Sequence, residues 1–199
     1  MKHFLTVIAL LFVVFVSAQE EKEKPQFEWD AIIRLTFVKP IAFGNNALSE
    51  AHREKSGFDI NWSLFKYNKF RLGIGYDFEQ FAVTDRTVIG NIERSNYTSL
   101  YGYFSYDWQV EKKVILYPNM GYGKVKLQQW GNGSVSYGHQ DGSEIRLGII
   151  GTYALTPGTS VVLSAHYLHA FLDVNTSPEF ESYFGTANQI QIGIGFQFK

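Results

Sequence analysis

The sequence predicts an all-β protein, an eight-stranded antiparallel up-and-down transmembrane β-barrel preceded by a cleaved signal peptide. Three observations predict it. Apolar and polar residues alternate with period two through eight segments, so each segment presents one apolar and one polar face. The connections between them switch between three or four residues and about a dozen or more, the short-turn and long-loop asymmetry of barrels that span a membrane. Aromatic residues make up 17% of the chain and cysteine is absent, while beyond Ala18 no stretch sustains a helical apolar period.

The N-terminus reads as an export signal. Met1-Lys2-His3 is followed by an apolar run from Phe4 to Val16 and by the small-residue exit Val16-Ser17-Ala18, which places a signal peptide at 1–18. The run is too short for a spanning helix, which needs roughly 20 residues. Cleavage removes one lysine, Lys2, from 18 basic and 19 acidic side chains. That balance does not attract nucleic acid. Residues 19–26, Gln-Glu-Glu-Lys-Glu-Lys-Pro-Gln, form a charged periplasmic leader with nothing apolar to pack. The barrel is assigned to 27–199.

The first strand puts Phe27, Trp29, Ala31, Ile33, Leu35 and Phe37 on one face, with Glu28, Asp30, Ile32, Arg34 and Thr36 on the other. After a polar stretch from Lys39 to Ser56, the second sets Phe58, Ile60, Trp62 and Leu64 against Asp59, Asn61 and Ser63. A turn at Lys66 to Lys69 leads into Phe70, Leu72, Ile74, Tyr76 and Phe78, which alternate with Arg71, Gly73, Gly75, Asp77 and Glu79. In the fourth strand Leu100, Gly102, Phe104, Tyr106 and Trp108 oppose Ser99, Tyr101, Tyr103, Ser105 and Asp107. The fifth, Val114 to Leu127, follows a turn at Glu111 to Lys113 and carries Pro118, which removes a ladder donor. The sixth and seventh put Ile145, Leu147, Ile149, Tyr153 and Leu155, then Val161, Leu163, Ala165, Tyr167 and Phe171, on one face around a Thr156 to Thr159 turn. Glu144, Arg146, Gly148 and Thr152 take the other face. The last strand alternates Ile190, Ile192, Ile194, Phe196 and Phe198 with Gln189, Gln191, Gly193, Gly195 and Gln197.

A soluble eight-stranded barrel also alternates, but with its apolar side turned inward. Strands of about 9 to 13 residues suit a tilted bilayer crossing. Aromatics collect at strand ends, with Phe27, Trp29, Phe65, Tyr67, Phe70, Trp108, Phe196 and Phe198 at the turn side and Phe37, Phe58, Phe81 and Phe171 at the loop side. Rings at those levels form headgroup girdles. The polar face becomes the lumen, with Glu28, Arg34, Arg71, Asp77, Glu79, Asp107, Glu144 and Arg146 as its charge network. In so narrow an interior, acids and arginines are expected to neutralise one another in hydrogen-bonded pairs. Tyr101 and Tyr103 are expected to pack on inward glycines of neighbouring strands.

The terminal run Gln191, Gly193, Phe196, Phe198 resembles the C-terminal β-signal of bacterial outer-membrane barrels, with Lys199 added after the last aromatic. Phe27 to Lys199 as a whole resembles the small OmpX/OmpA-type barrels. That resemblance implies the outer membrane as location, and outer-membrane lipid, lipopolysaccharide and the barrel-assembly machinery as partners. The segment Ala165-His166-Tyr167-Leu168-His169-Ala170, with Glu179 and Glu181 downstream, is similar to the His-x-Ser region of lipid A 3-O-deacylases. Leu168 stands where the nucleophile belongs, and acyl transfer by that route needs a hydroxyl. His166, His169 and Asp173 are weighed as metal ligands and read as plain loop-end residues. No phosphate-binding glycine loop occurs, so neither cofactor nor metal is expected. Asn96-Tyr97-Thr98, Asn132-Gly133-Ser134 and Asn175-Thr176-Ser177 read as ordinary loop residues.

The function expected is non-enzymatic: a barrel with a side-chain-filled lumen, whose four long extracellular loops engage an unknown ligand. A narrow porin-like channel for small solutes is the alternative. A degenerate deacylase-like enzyme is the second.

Overall fold

A computed structural model describes residues 27–132 and 135–199, which form one closed antiparallel sheet. The signal peptide at 1–18, the leader at 19–26 and Gly133 and Ser134 lie outside the described residues. The strands are β1 (Phe27–Phe43), β2 (His52–Tyr67), β3 (Phe70–Val83), β4 (Arg94–Tyr106), β5 (Trp108–Glu111), β6 (Val114–Trp130), β7 (Ser136–Thr156), β8 (Thr159–Leu172) and β9 (Thr186–Phe198). β1 pairs with both β2 and β9, and β4 with both β3 and β6, so the wall closes on itself. β4 and β5 make one stave broken at Asp107, which gives eight staves in all.

That break lies opposite Pro118. The proline sits in β6 between the Ser105–Asn119 and Trp108–Leu116 pairs and has no N–H to donate there. Asp107 turns its own N–H to the Lys69 carbonyl instead, at 2.6 Å. The stave survives because β6 keeps its full ladder with β7 on the other side.

Two-residue turns join the strands at one rim: Asn68-Lys69, Lys112-Lys113 and Pro157-Gly158. Asn68 takes φ 54°, a left-handed conformation that asparagine tolerates. The opposite rim carries α1 (Ala47–Glu50), α2 (Arg86–Ile89) and α3 (Pro178–Gly185). The loops here are shorter than the sequence suggested, because β1 runs on to Phe43, β2 starts at His52 and β7 starts at Ser136. Backbone pairing is indifferent to the side chains that break the alternation. Pro40 still lies opposite Gln191 of β9, and on its β2 side the Lys39 amine donates to the Glu54 and Lys55 carbonyls at 2.7 and 2.8 Å.

The outer wall is apolar around the ring: Phe37 is 60% exposed, Leu163 61% and Ile192 52%. The alternate residues point inward and are buried. A closed wall leaves no unpaired backbone facing hydrocarbon, which is the condition for a strand to cross a bilayer. Phe81 corrects the expected girdle, since it lies on the inward parity of β3, in step with Asp77 and Glu79, and is fully buried. Among the described residues no helix is long and apolar enough to cross a membrane.

Candidate functional site: the charged lumen

The inward face of the barrel divides along its axis. Toward the loop rim Arg146 of β7, 1% exposed, bonds to Asp77 of β3 at 2.5 Å, to Asp59 of β2 at 3.2 Å and to Glu144 at 3.2 Å. Its guanidinium carbon lies 4.0 Å from the centre of the Tyr101 ring. The Tyr101 hydroxyl donates to Asp59 at 2.6 Å, and Asn61 donates to the same carboxylate. Glu144 accepts from the Tyr97 hydroxyl at 2.6 Å and from Ser99 at 2.7 Å. The Gln191 amide donates to both Asp77 and Glu79, at 2.7 and 2.9 Å. Asp59, Asp77, Glu79 and Glu144 thus surround a single arginine, all of them buried.

Toward the turn rim the arrangement differs. Arg71 bridges Asp107 of the broken stave and Asp30 of β1, at 2.7 and 2.9 Å. Lys66 approaches Asp107 at 3.8 Å and Lys199 approaches Asp30 at 3.3 Å. Between the two groups Arg34, fully buried, touches no carboxylate. Its Nε donates to Gln197 at 2.8 Å and its guanidinium stacks on Tyr117 at 4.4 Å.

Apolar clusters lie toward both ends. Leu48 of α1 joins Phe81, Tyr97, Val125, Leu127, Ala170, Leu172 and Ala187 under the loop rim, while Tyr117, Ile150 and Val162 cluster toward the turn rim. Under the loops a cavity of about 70 Å³ remains, walled by residues such as Leu48, His52, Ile89, Gln129 and Phe184. That is room for a few water molecules.

The glycines of the lumen make the tyrosine layer possible. A Cβ on Gly75 would collide with the Tyr101 ring, and one on Gly73 with Tyr103. Both rings therefore lie flat against bare backbone across the β3–β4 ladder.

Seven of the eight residues expected to form the charge network are inward or ion-paired: Arg34, Arg71, Asp77, Glu79, Asp107, Glu144 and Arg146. Glu28 is not among them. It has the right parity but stands exposed at the open rim, before the register shift between Trp29 and Ile32, and the wall there has no lumen to face. Mutual neutralisation also needs correcting, because Arg34 has no acid partner and the loop-side group has four acids to one arginine. Asp30 and Asp59, absent from the expected network, are part of it, and parity alone places both on the inward face. Tyr97 is a further member, although its surroundings in the sequence read as a loop. It lies in β4, which also removes Asn96-Tyr97-Thr98 from any loop.

His166 faces the lumen at 4% exposed, whereas His169 lies on the other face and bonds to Asn188 at 2.6 Å. Residues three apart on a strand point in opposite directions, so the two histidines cannot share a metal. Among the described residues no three histidine, aspartate or glutamate side chains are grouped to hold one. Leu168 is also inward and fully buried. In the β-signal, Gln191 and Gly193 face the lumen, the latter beside Ser164, Thr36 and Val38, while Phe196 and Phe198 face outward at the turn rim.

No family model matches the sequence, and no curated protein is similar to it. Solved structures do share its architecture. Neisserial surface protein A aligns over 87% of this chain and 99% of its own, at 15% identity and a TM-score of 0.56. A major outer membrane protein from Thermus thermophilus covers 85% of this chain and 100% of its own, at 11% identity and a TM-score of 0.52. The outer membrane protein AlkL covers 90% and 94%, at 12% identity and a TM-score of 0.51. With apolar staves outside, charges and tyrosines inside, tight turns at one rim and loops at the other, the chain has the fold of the small eight-stranded outer-membrane β-barrels.

Proposed function

We propose that the protein is a non-enzymatic outer-membrane barrel with a side-chain-filled lumen, whose loop rim carries a structural or surface-interaction role. The filling of the lumen supports this reading: an apolar cluster under the loops, the ion-paired Arg146 layer beneath it, then Tyr117, Ile150 and Val162 on the same side as the Arg71 ion pairs. A solute would have to displace Phe81, Tyr97 and Leu127 and then break the bonds of Arg146. Outer-membrane lipid and lipopolysaccharide surround the wall in this reading. The assembly machinery reads Gln191, Gly193, Phe196 and Phe198, and an extracellular ligand of unidentified chemistry meets the loops.

A deacylase-like activity on membrane lipid is disfavoured by orientation. His166 points into the barrel, so its ring cannot reach an acyl ester on the outside. Planar-bilayer recording tests the main proposal. The refolded chain should insert without adding ohmic conductance steps, and stable unitary steps would favour the narrow channel instead.

A further inference from the structure

We propose that the turn-side half of the lumen binds a small inorganic anion, held on Arg34 with Ser63, Arg71, Tyr103 and Ser105 as further donors. These residues come from four consecutive staves, β1 to β4. The ladder sets Ser63 opposite Gly73, Gly73 opposite Tyr103, and Arg71 opposite Ser105, while Ser63 pairs with Ile32, two positions from Arg34.

The hydrogen-bond inventory of this layer is lopsided. Both terminal nitrogens of Arg34, Nη1 of Arg71, the hydroxyls of Ser63 and Ser105 and the Tyr103 hydroxyl make no hydrogen bond of good geometry among the described residues, Arg34 and Tyr103 lying close to each other without completing one. All five side chains are at least nine-tenths buried. Every one of these groups can donate, and the nitrogens can do nothing else. The two carboxylates nearby are already committed, Asp30 to Arg71 and Lys199, Asp107 to Arg71 and Lys66. A guanidinium enclosed without an acid is costly to bury unless a negative group meets it. Its planar fork suits an oxyanion bidentately, and a halide accepts from the same donors.

The loop-side layer differs in charge. There the unpartnered atoms include the carboxylate oxygens Asp77 Oδ1 and Glu79 Oε2, together with Gln191 Oε1 and both amide atoms of Gln189, and acids outnumber the one arginine. The anion site is therefore a property of one half of the lumen, and its charged approach is the turn rim, where Lys66 and Lys199 stand.

Urea unfolding of the refolded full chain tests this in sodium phosphate, in sodium chloride and in sodium gluconate at matched ionic strength. Phosphate or chloride should raise the folding constant about tenfold for each tenfold in concentration above its dissociation constant, with gluconate inert. The phosphate and chloride arms separate oxyanion from halide. R34Q, shown to be folded by its unheated gel shift, should lose the dependence. If R34Q does not fold, S63A should weaken anion affinity severalfold. In crystals soaked with bromide, an anomalous peak should lie beside Arg34. Equal stabilisation by gluconate, full anion dependence in folded R34Q, an unchanged S63A where R34Q fails to fold, or no lumen peak would each overturn the assignment.

Discussion

On the loop side of the lumen Arg146 meets three carboxylates and the face of Tyr101, whereas a few residues toward the turns Arg34 meets one amide oxygen and Tyr117. Both arginines are fully enclosed, and both arrived there by strand parity alone. Parity decides which face a side chain takes, and the register of the other staves decides what it finds there. The acids that hold Arg146 come from β2, β3 and β7, and none of them bonds to Arg34, whose Nε donates to Gln197 of β9. Two identical side chains in one interior therefore have opposite energetics. One is the single cation in an acid-rich layer, and the other is a cation in a donor-rich layer.

Replacing each arginine by methionine breaks the comparison most directly. R146M leaves four buried carboxylates with no cation, and removing one partner of a buried ion pair costs about 3–5 kcal/mol. R34M strands no acid, so in anion-free buffer it should cost under about 1 kcal/mol or stabilise, since it exchanges an unpaired charge for an apolar side chain. Urea unfolding in lipid vesicles, followed by tryptophan fluorescence, measures both. Equal losses in the two variants would mean that the halves of the lumen do not differ as described.

The wall supplies the next largest effect. Ile192 faces outward on β9 beside the inward Gln191, so I192R puts a charge into hydrocarbon at a cost of about 2–4 kcal/mol near the midplane. Q191R places its guanidinium between Asp77 and Glu79, where it adds the second cation that layer lacks. It should cost clearly less than its neighbour, and a greater loss for Q191R would contradict the inside-outside assignment of β9. Smaller again is G75A. The added methyl meets the Tyr101 ring, and overpacking of that kind costs about 1–3 kcal/mol. Because Tyr101 also donates to Asp59, the same variant should lengthen that bond, visible as a shifted tyrosine hydroxyl resonance.

Much of this is legible in the sequence. Period-two alternation in Phe70 to Glu79 and in Gln189 to Phe198 needs no tertiary information to be read, and it places the wall and the lumen. It misleads where residue class is followed instead of parity. Phe81 suggests the girdle because it is aromatic, and Glu28 suggests the lumen because it is charged, although the barrel has not yet closed around it. Asp30 and Asp59 lie on the correct face and belong to the network that the expected eight residues leave them out of. Which charges meet is not legible at all. Arg146 and Asp59 are 87 residues apart, and the register that joins them depends on the turns, the bulges at Trp29/Ile32 and Ser63/Phe65, and the break at Asp107.

The smallest effect concerns the cover over the acid-rich half. The Tyr183 hydroxyl of α3 donates to Glu50 of α1 at 3.1 Å, and Leu48 of the same short helix closes the apolar cluster beneath. Y183F removes that bond at the rim, where a single hydrogen bond contributes about 1 kcal/mol or less. The global midpoint should stay within error while amide exchange in α3 speeds up severalfold. Burial, and then the bond to Glu50, hold the Tyr183 phenol above its ordinary value. The link is therefore fully present below about pH 10 and is lost as the pH climbs through the raised value. Phenolate absorbance should show one late-titrating tyrosine missing in Y183F. If exchange in α3 is unchanged by the variant, the loop helices are held by Leu48 and its neighbours alone, and the rim moves independently of the lumen it covers.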